Sequence, residues 1–215
     1  MYMKLLTLLL LVFFSTTTLA SQDAAINLTS QVSYYLDETS KLTQNTIQTK
    51  DEEFTQVNKE KISFGHKPNA TLWVKFTLHN YETTRQNFIL EYVGNSIYEA
   101  RLYDFKHHTI DIIGATRLNK FQQNRGHAFK ISIAPKSSID YYMQAKNHLS
   151  SIKLELLLWK ADAYAVAKND YFSKVFFFNV ALGILVVYNL MIFFFTRERT
   201  YVYYACMTLG SVVFS

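Results

Sequence analysis

The sequence of 215 residues predicts a mainly β protein, an antiparallel β-sandwich or jelly roll followed by transmembrane α-helices. Three observations lead there. Apolar and polar residues alternate with a period of two through much of the chain between Ser21 and Lys160, the mark of half-buried strands. No amphipathic helical segment lies between those strands, which excludes a parallel α/β sheet, whose strands need crossover helices. Finally, Val175 to Phe195 is an apolar run without a charged residue. At about 1.5 Å per residue it reaches roughly 31 Å as a helix, the thickness of a bilayer's hydrocarbon core.

Only Asn179, Tyr188 and Asn189 interrupt that run, whereas a core helix of a soluble protein, the competing reading, keeps a polar face. Arg197 and Arg199 follow it directly and favour the cytoplasmic side, although Lys168 and Lys174 upstream make the local bias small. The start of the chain decides the orientation. Residues 1–20 read as a secretory signal peptide: Lys4, an apolar run from Leu5 to Phe14, and small residues leading to a cut after Ala20. An uncleaved anchor is the alternative, and both export Ser21 to Lys174. The expected layout is therefore a signal peptide (1–20), an exported sandwich (21–160), a linker or short helix (161–174), a first transmembrane helix (175–195) and the start of a second (200–215). Residues 201–215 give only about 22 Å of helix, so the chain is expected to stop inside that second span, without its output machinery.

Net charge is +5 overall and about +3 on the exported part, with no Lys/Arg clustering, which makes no case for nucleic acid. The one cysteine, Cys206, falls in the membrane tail, so the exported domain has no disulfide and depends on core packing.

Strand by strand, Thr71 to Asn80 turns Leu72, Val74, Phe76 and Leu78 one way and Trp73, Lys75, Thr77 and His79 the other. The same alternation points Phe129, Ile131 and Ile133 inward, then Ile139, Tyr141 and Met143, then Ile152, Leu154, Leu156 and Leu158. The segments NFILEYVG and IYEARLYDF read as a hairpin pair joined at Gly94-Asn95, and Ala134-Pro135-Lys136-Ser137 reads as a turn.

Enzyme chemistry needs a nucleophile with its base, or a metal set, at workable spacing. The chain has no HExxH, GxSxG or glycine-rich phosphate loop. Its six histidines are scattered, and the adjacent His107 and His108 would face opposite ways on a strand, so KHHT reads as an exposed turn. No catalytic residue, metal site or cofactor is assigned. The candidate ligand contacts are Trp73, whose ring is either packing or a stacking platform, and Arg101 with Tyr103. The latter two share a strand face with Glu99, as a polar ligand patch or as an ion pair. Trp159 faces away from the apolar side of its strand in the same way. Asn179 and Asn189 read as contacts between helices.

The segments VSYYLDETSKLT, ISFGHKPNATLWVKFTLHN, RGHAFKISIAPKSSIDYYMQAKN and LELLLW resemble the second type of extracellular domain of bacterial seven-transmembrane receptors with diverse intracellular signalling modules. FNVALGILVVYNLMIFFFTRERTYVYYACMTLGSVVF resembles the first helix and part of the second in the same receptors. The resemblance implies a periplasmic jelly roll similar to carbohydrate-binding modules, and a bacterial inner-membrane protein whose complete form carries seven helices and a cytoplasmic output such as a diguanylate cyclase, histidine kinase or phosphatase. It also draws attention to Arg125 and His127, because family members tend to carry an arginine at this strand entry; a structural and a ligand-binding role are both open.

The expectation is a non-enzymatic, ligand-sensing input module whose partners are the membrane and a small molecule of carbohydrate type, with homodimerisation left open. A membrane-tethered binding or adhesion module without signalling is the alternative.

Overall fold

A computed structural model describes residues 25–93, 98–105, 109–114 and 127–213. The signal-peptide reading, the Gly94-Asn95 turn, His107, His108 and Arg125 lie outside the described residues.

Among the described residues twelve strands precede the long helix. In a four-stranded sheet, β1 (Ala25–Asn27), β12 (Leu156–Lys160), β6 (Gln86–Tyr92) and β9 (His127–Ile133) stand side by side in that order. A six-stranded sheet has the order β3 (Thr55–Gln56), β2 (Ser33–Asp37), β5 (Thr71–Asn80), β10 (Ser137–Lys146), β7 (Glu99–Asp104) and β8 (Thr109–Ile113). The short strands β4 (Ile62–Ser63) and β11 (Lys153–Leu154) pair with each other. Every pairing is antiparallel.

The alternation read from the sequence is what closes the sandwich. Leu72, Val74, Phe76 and Leu78 of β5, with Ile139, Tyr141 and Met143 of β10, meet Phe129, Ile131 and Ile133 of β9 and Leu156 and Leu158 of β12 in one buried core. Ile152 and Leu154 join it, but their stretch divides at Glu155 into β11 and β12, which serve different sheets.

One expectation is corrected. NFILEYVG and IYEARLYDF do not form a hairpin: β6 lies in the four-stranded sheet and β7 in the six-stranded sheet. Leu90 and Tyr92 come to the core from one side and Ala100 and Leu102 from the other. Alternation states which residues turn inward, and it is equally satisfied by pairing within a sheet or by crossing to the opposite one.

Gly114, just after β8, has φ +128°, a backbone conformation that side chains other than hydrogen rarely adopt. A Cβ there would stand 2.5 Å from the Tyr98 carbonyl oxygen and 2.8 Å from Glu99 Cα, both backbone atoms that cannot step aside. Gly114→Ala is expected to destabilise the domain by about 2 kcal/mol or more, read as a lowered thermal midpoint by circular dichroism; an unchanged midpoint would contradict it.

After Lys160 the chain enters α2 (Ala161–Thr196), the short helix α1 (Gln44–Ile47) being the only earlier α-helical segment among the described residues. The stretch 161–174 and the apolar run are thus one continuous helix of 36 residues, about 54 Å long. It is long and apolar enough to cross a membrane. Phe176, Phe177, Phe178, Ile184 and Val187 are exposed along it, which suits lipid and not water. Arg197, in the left-handed conformation, ends the helix by donating its N–H to the Phe193 carbonyl at 2.8 Å. α3 (Thr200–Val213) then folds back, with Ala205 and Asn189 buried in the helical hairpin.

Candidate functional site

The outer face of the six-stranded sheet holds the candidate site, and strand register builds it. Across β5, β10 and β7, Gln144 stands opposite Trp73 and Arg101, and Tyr142 opposite Lys75 and Tyr103. Asp140 stands opposite Thr77, and Ser138 opposite His79.

The half of this face nearer Trp73 is roofed. Asp37, at the end of β2, accepts hydrogen bonds from the Leu42 N–H (2.8 Å), the Thr39 N–H (2.9 Å) and the Thr39 hydroxyl (2.7 Å). Burial alone would raise its pKa, but the backbone and hydroxyl donors outweigh it and hold the carboxyl below the usual range. The chain is thereby turned back into α1, whose start is fastened by a reciprocal Thr43/Thr46 capping box. A 3-10 turn, Gln48–Glu53, continues it. Ile47 then packs with Trp73, Tyr103 and Tyr142 as a second buried cluster, with Leu42, Phe54 and Phe105 at its margin.

The other half is open. A cleft of about 460 Å³ is lined by Gln48, Asp51, Lys75, Phe105, Ser138, Asp140 and Tyr142. Asp51 of the 3-10 turn accepts from Lys75 Nζ at 2.6 Å and from the Tyr142 hydroxyl at 2.7 and 2.9 Å. Burial works against the Lys75 ammonium, yet the hydrogen bonds and charges of Asp51 and Tyr142 leave its pKa raised. Lys75 Nζ also lies 5.4 Å from the centre of the Tyr142 ring. Asp140 takes the Thr77 hydroxyl at 2.6 Å. Among the described residues no group of three His, Cys, Asp or Glu side chains could hold a metal ion.

Burial, reinforced by the Asp51 carboxylate, pushes the Tyr142 pKa up to about 12. Tyr141 rises to about 12 through burial and the Asp104 charge, and Tyr92 is raised by burial. These phenols keep their protons in the fold at pH values where an unfolded chain begins to release them, near 10. Their contribution to stability is full below about pH 10 and is lost as pH climbs through the raised values. Tyrosinate absorbance is therefore expected to show these tyrosines ionising together with unfolding above about pH 10. Their ionisation at the ordinary pKa with the fold intact would be the contrary result.

The sequence-predicted contacts are distributed as follows. Trp73 is 0% exposed and stacks on Tyr103, ring centres 5.9 Å apart, so it has no surface to offer a ligand; packing is its role. Tyr103 is likewise buried, its hydroxyl donating to Gln144 Oε1 at 3.2 Å. Arg101 is forked onto Glu99 (Nε–Oε1 2.8 Å, Nη2–Oε2 3.1 Å), the ion-pair alternative, and that bond raises its pKa. These three share one sheet face. His127 lies apart from them, on β9 of the other sheet opposite Tyr92, where burial lowers its pKa. Asp51, Lys75, Asp140 and Tyr142 were missed. The outward positions of β5 and β10 were a usable signal for the last three, but nothing local announced that residue 51 would reach them.

A second contact joins the sandwich to the helix. Trp159 of β12 is 1% exposed and donates its Nε1–H to Glu91 Oε2 at 2.8 Å; Glu91, on β6, is 3% exposed. Tyr164, in the first turn of α2, closes over the indole edge-on at 5.9 Å. Lys160 pairs with Phe88 near the start of β6, and Asn80 Nδ2 reaches the carbonyls of Ile133 and Ala134. α2 therefore leaves the sandwich at the end that carries the β5–β6 loop and the β9–β10 turn. Asp140 and Ser138 lie in the half of the six-stranded sheet nearer this end.

A family model described as 7TMR-DISM extracellular 2 matches residues 29–160, more than half of the chain. The chain belongs to this family. The match ends where α2 begins, so the 7TMR-DISM extracellular domain and a helix of membrane-spanning length follow each other without an intervening loop. That makes the chain a membrane-receptor sensor module with an extracellular N-terminal domain. A comparison with curated proteins returned no match.

Proposed function

We propose that this 7TMR-DISM chain is the ligand-sensing input of a bacterial inner-membrane signalling receptor. In this reading the sandwich lies in the periplasm, and a small polar ligand occupies the cleft beside Lys75, Asp51 and Tyr142. The observation that carries the reading is the continuity of β12 with α2, clasped by Trp159, Glu91 and Tyr164 at the end of the sandwich nearer the open cleft. A helix held this way moves with the four-stranded sheet, so a ligand on the six-stranded sheet shifts the helix when it binds two arrangements of the packed sheets with different affinity.

The test uses the full chain in lipid nanodiscs, a panel of cell-wall sugars and related small molecules, and hydrogen exchange of residues 161–174. A panel member that binds is expected to change exchange there, and Trp159→Phe, which deletes the bond to Glu91, to reduce the change while binding persists. Binding that leaves the helix unaffected would favour the tethered binding or adhesion module; no binding by any member would overturn the sensing reading.

A further inference from the structure

We propose that the cleft selects a compact ligand bearing one ammonium group and several hydroxyls, of the amino-sugar type; this rests on the sensing reading above. The cleft contains two carboxylates and one ammonium among its described lining residues. Lys75 is committed to Asp51 at 2.6 Å, and the Tyr142 hydroxyl completes that carboxylate's shell. Asp140 has a different surrounding. Among the described residues its partner is the neutral Thr77 hydroxyl, and no cation lies within ion-pair reach. Among the described residues the cleft so carries one uncompensated negative charge, that of Asp140, which is exposed.

The rest of the lining fits the remainder of such a molecule. Among the described residues Gln48 and Ser138 line the cleft with amide and hydroxyl groups that engage no other side chain, and suit sugar hydroxyls. Phe105 stands edge-on to Tyr142, ring centres 5.1 Å apart at 78°, and supplies an apolar wall beside Asp140. An aromatic ring next to a carboxylate is favourable for an ammonium group and unfavourable for an anion. The volume is at the small end of ligand pockets, enough for a single sugar-sized molecule. A neutral sugar can use the hydroxyl contacts but leaves the charge of Asp140 unmatched, and a uronic acid opposes it.

The experiment is calorimetric titration of the full chain in detergent micelles with glucosamine, N-acetylglucosamine, glucose and glucuronate. Glucosamine is expected to bind roughly five- to tenfold more tightly than the two neutral sugars, the range between an exposed ion pair and a charge-assisted hydrogen bond. Asp140→Asn should reduce glucosamine to the level of glucose with an unchanged melting temperature, since Asp140 is exposed. Asp162→Asn, an exposed acid on α2, should leave the preference intact. Equal or tighter binding of N-acetylglucosamine or glucuronate, a preference that survives Asp140→Asn, one lost in Asp162→Asn, or no binding of any of the four would each overturn the ligand class. The sensing reading fails separately, on the helix exchange produced by whichever panel member binds.

Discussion

Trp159→Ala is expected to cost the domain about 3–5 kcal/mol and to free α2 from the sandwich. The indole is almost wholly enclosed between β6 and the first turn of the helix, so its removal leaves a cavity that Tyr164 alone cannot fill. It also withdraws the Nε1–H donor from Glu91, a carboxylate at 3% exposure, where the loss of a hydrogen bond to a charged group is worth about 1.5–3 kcal/mol. Trp159→Phe separates the two parts, keeping most of the ring while deleting the donor. Denaturant unfolding of the full chain in mild detergent, read by the fluorescence of the remaining Trp73, gives the cost. Limited proteolysis between residues 161 and 174 reports the release of the helix. A loss below about 1 kcal/mol, which is the size expected of an ordinary surface change, together with unaltered protease resistance would refute the clasp.

Trp73→Ala should be comparably damaging, about 3–5 kcal/mol, but at the opposite face of the molecule. Trp73 is the floor on which Ile47 and Tyr103 rest, and its loss would let the segment from α1 to Glu53 lift from the sheet. Asp51 sits in that segment, so its bonds to Lys75 and Tyr142 would loosen and the cleft with them. Among the described residues no acceptor reaches the Trp73 Nε1–H. Trp73→Phe is therefore expected to lose packing only, and to cost well under half as much as alanine. Hydrogen exchange at residues 44–53 should rise sharply in the alanine variant and modestly in the phenylalanine variant. Equal exchange in both would mean that the roof does not depend on the indole.

These two tryptophans also mark how far local pattern carries. Both occupy outward positions of their strands, where alternation suggests solvent, a groove or a cover, and in both cases a cover is present: α1 over Trp73 and α2 over Trp159. Period-two alternation identifies a strand with one buried face, but it says nothing about whether the second face is also covered. The Arg101–Glu99 pair was legible because its partners are two residues apart on one strand face. The cleft was not, because the Lys75–Asp51 contact spans 24 residues and the Tyr142–Asp51 contact 91.

From its residues alone the chain declared its strands, the inward-facing side of each, and a charge-free helix of membrane length. Those features repeat over neighbouring positions, so burial preference and run length are enough to set them. Folding in three dimensions chose which sheet received β6 and which received β7, laid the 38–54 segment across the outer face, and locked α2 onto Trp159. Each of those outcomes depends on partners far apart along the chain, whose meeting is governed by the packing of the whole sandwich and not by any local period.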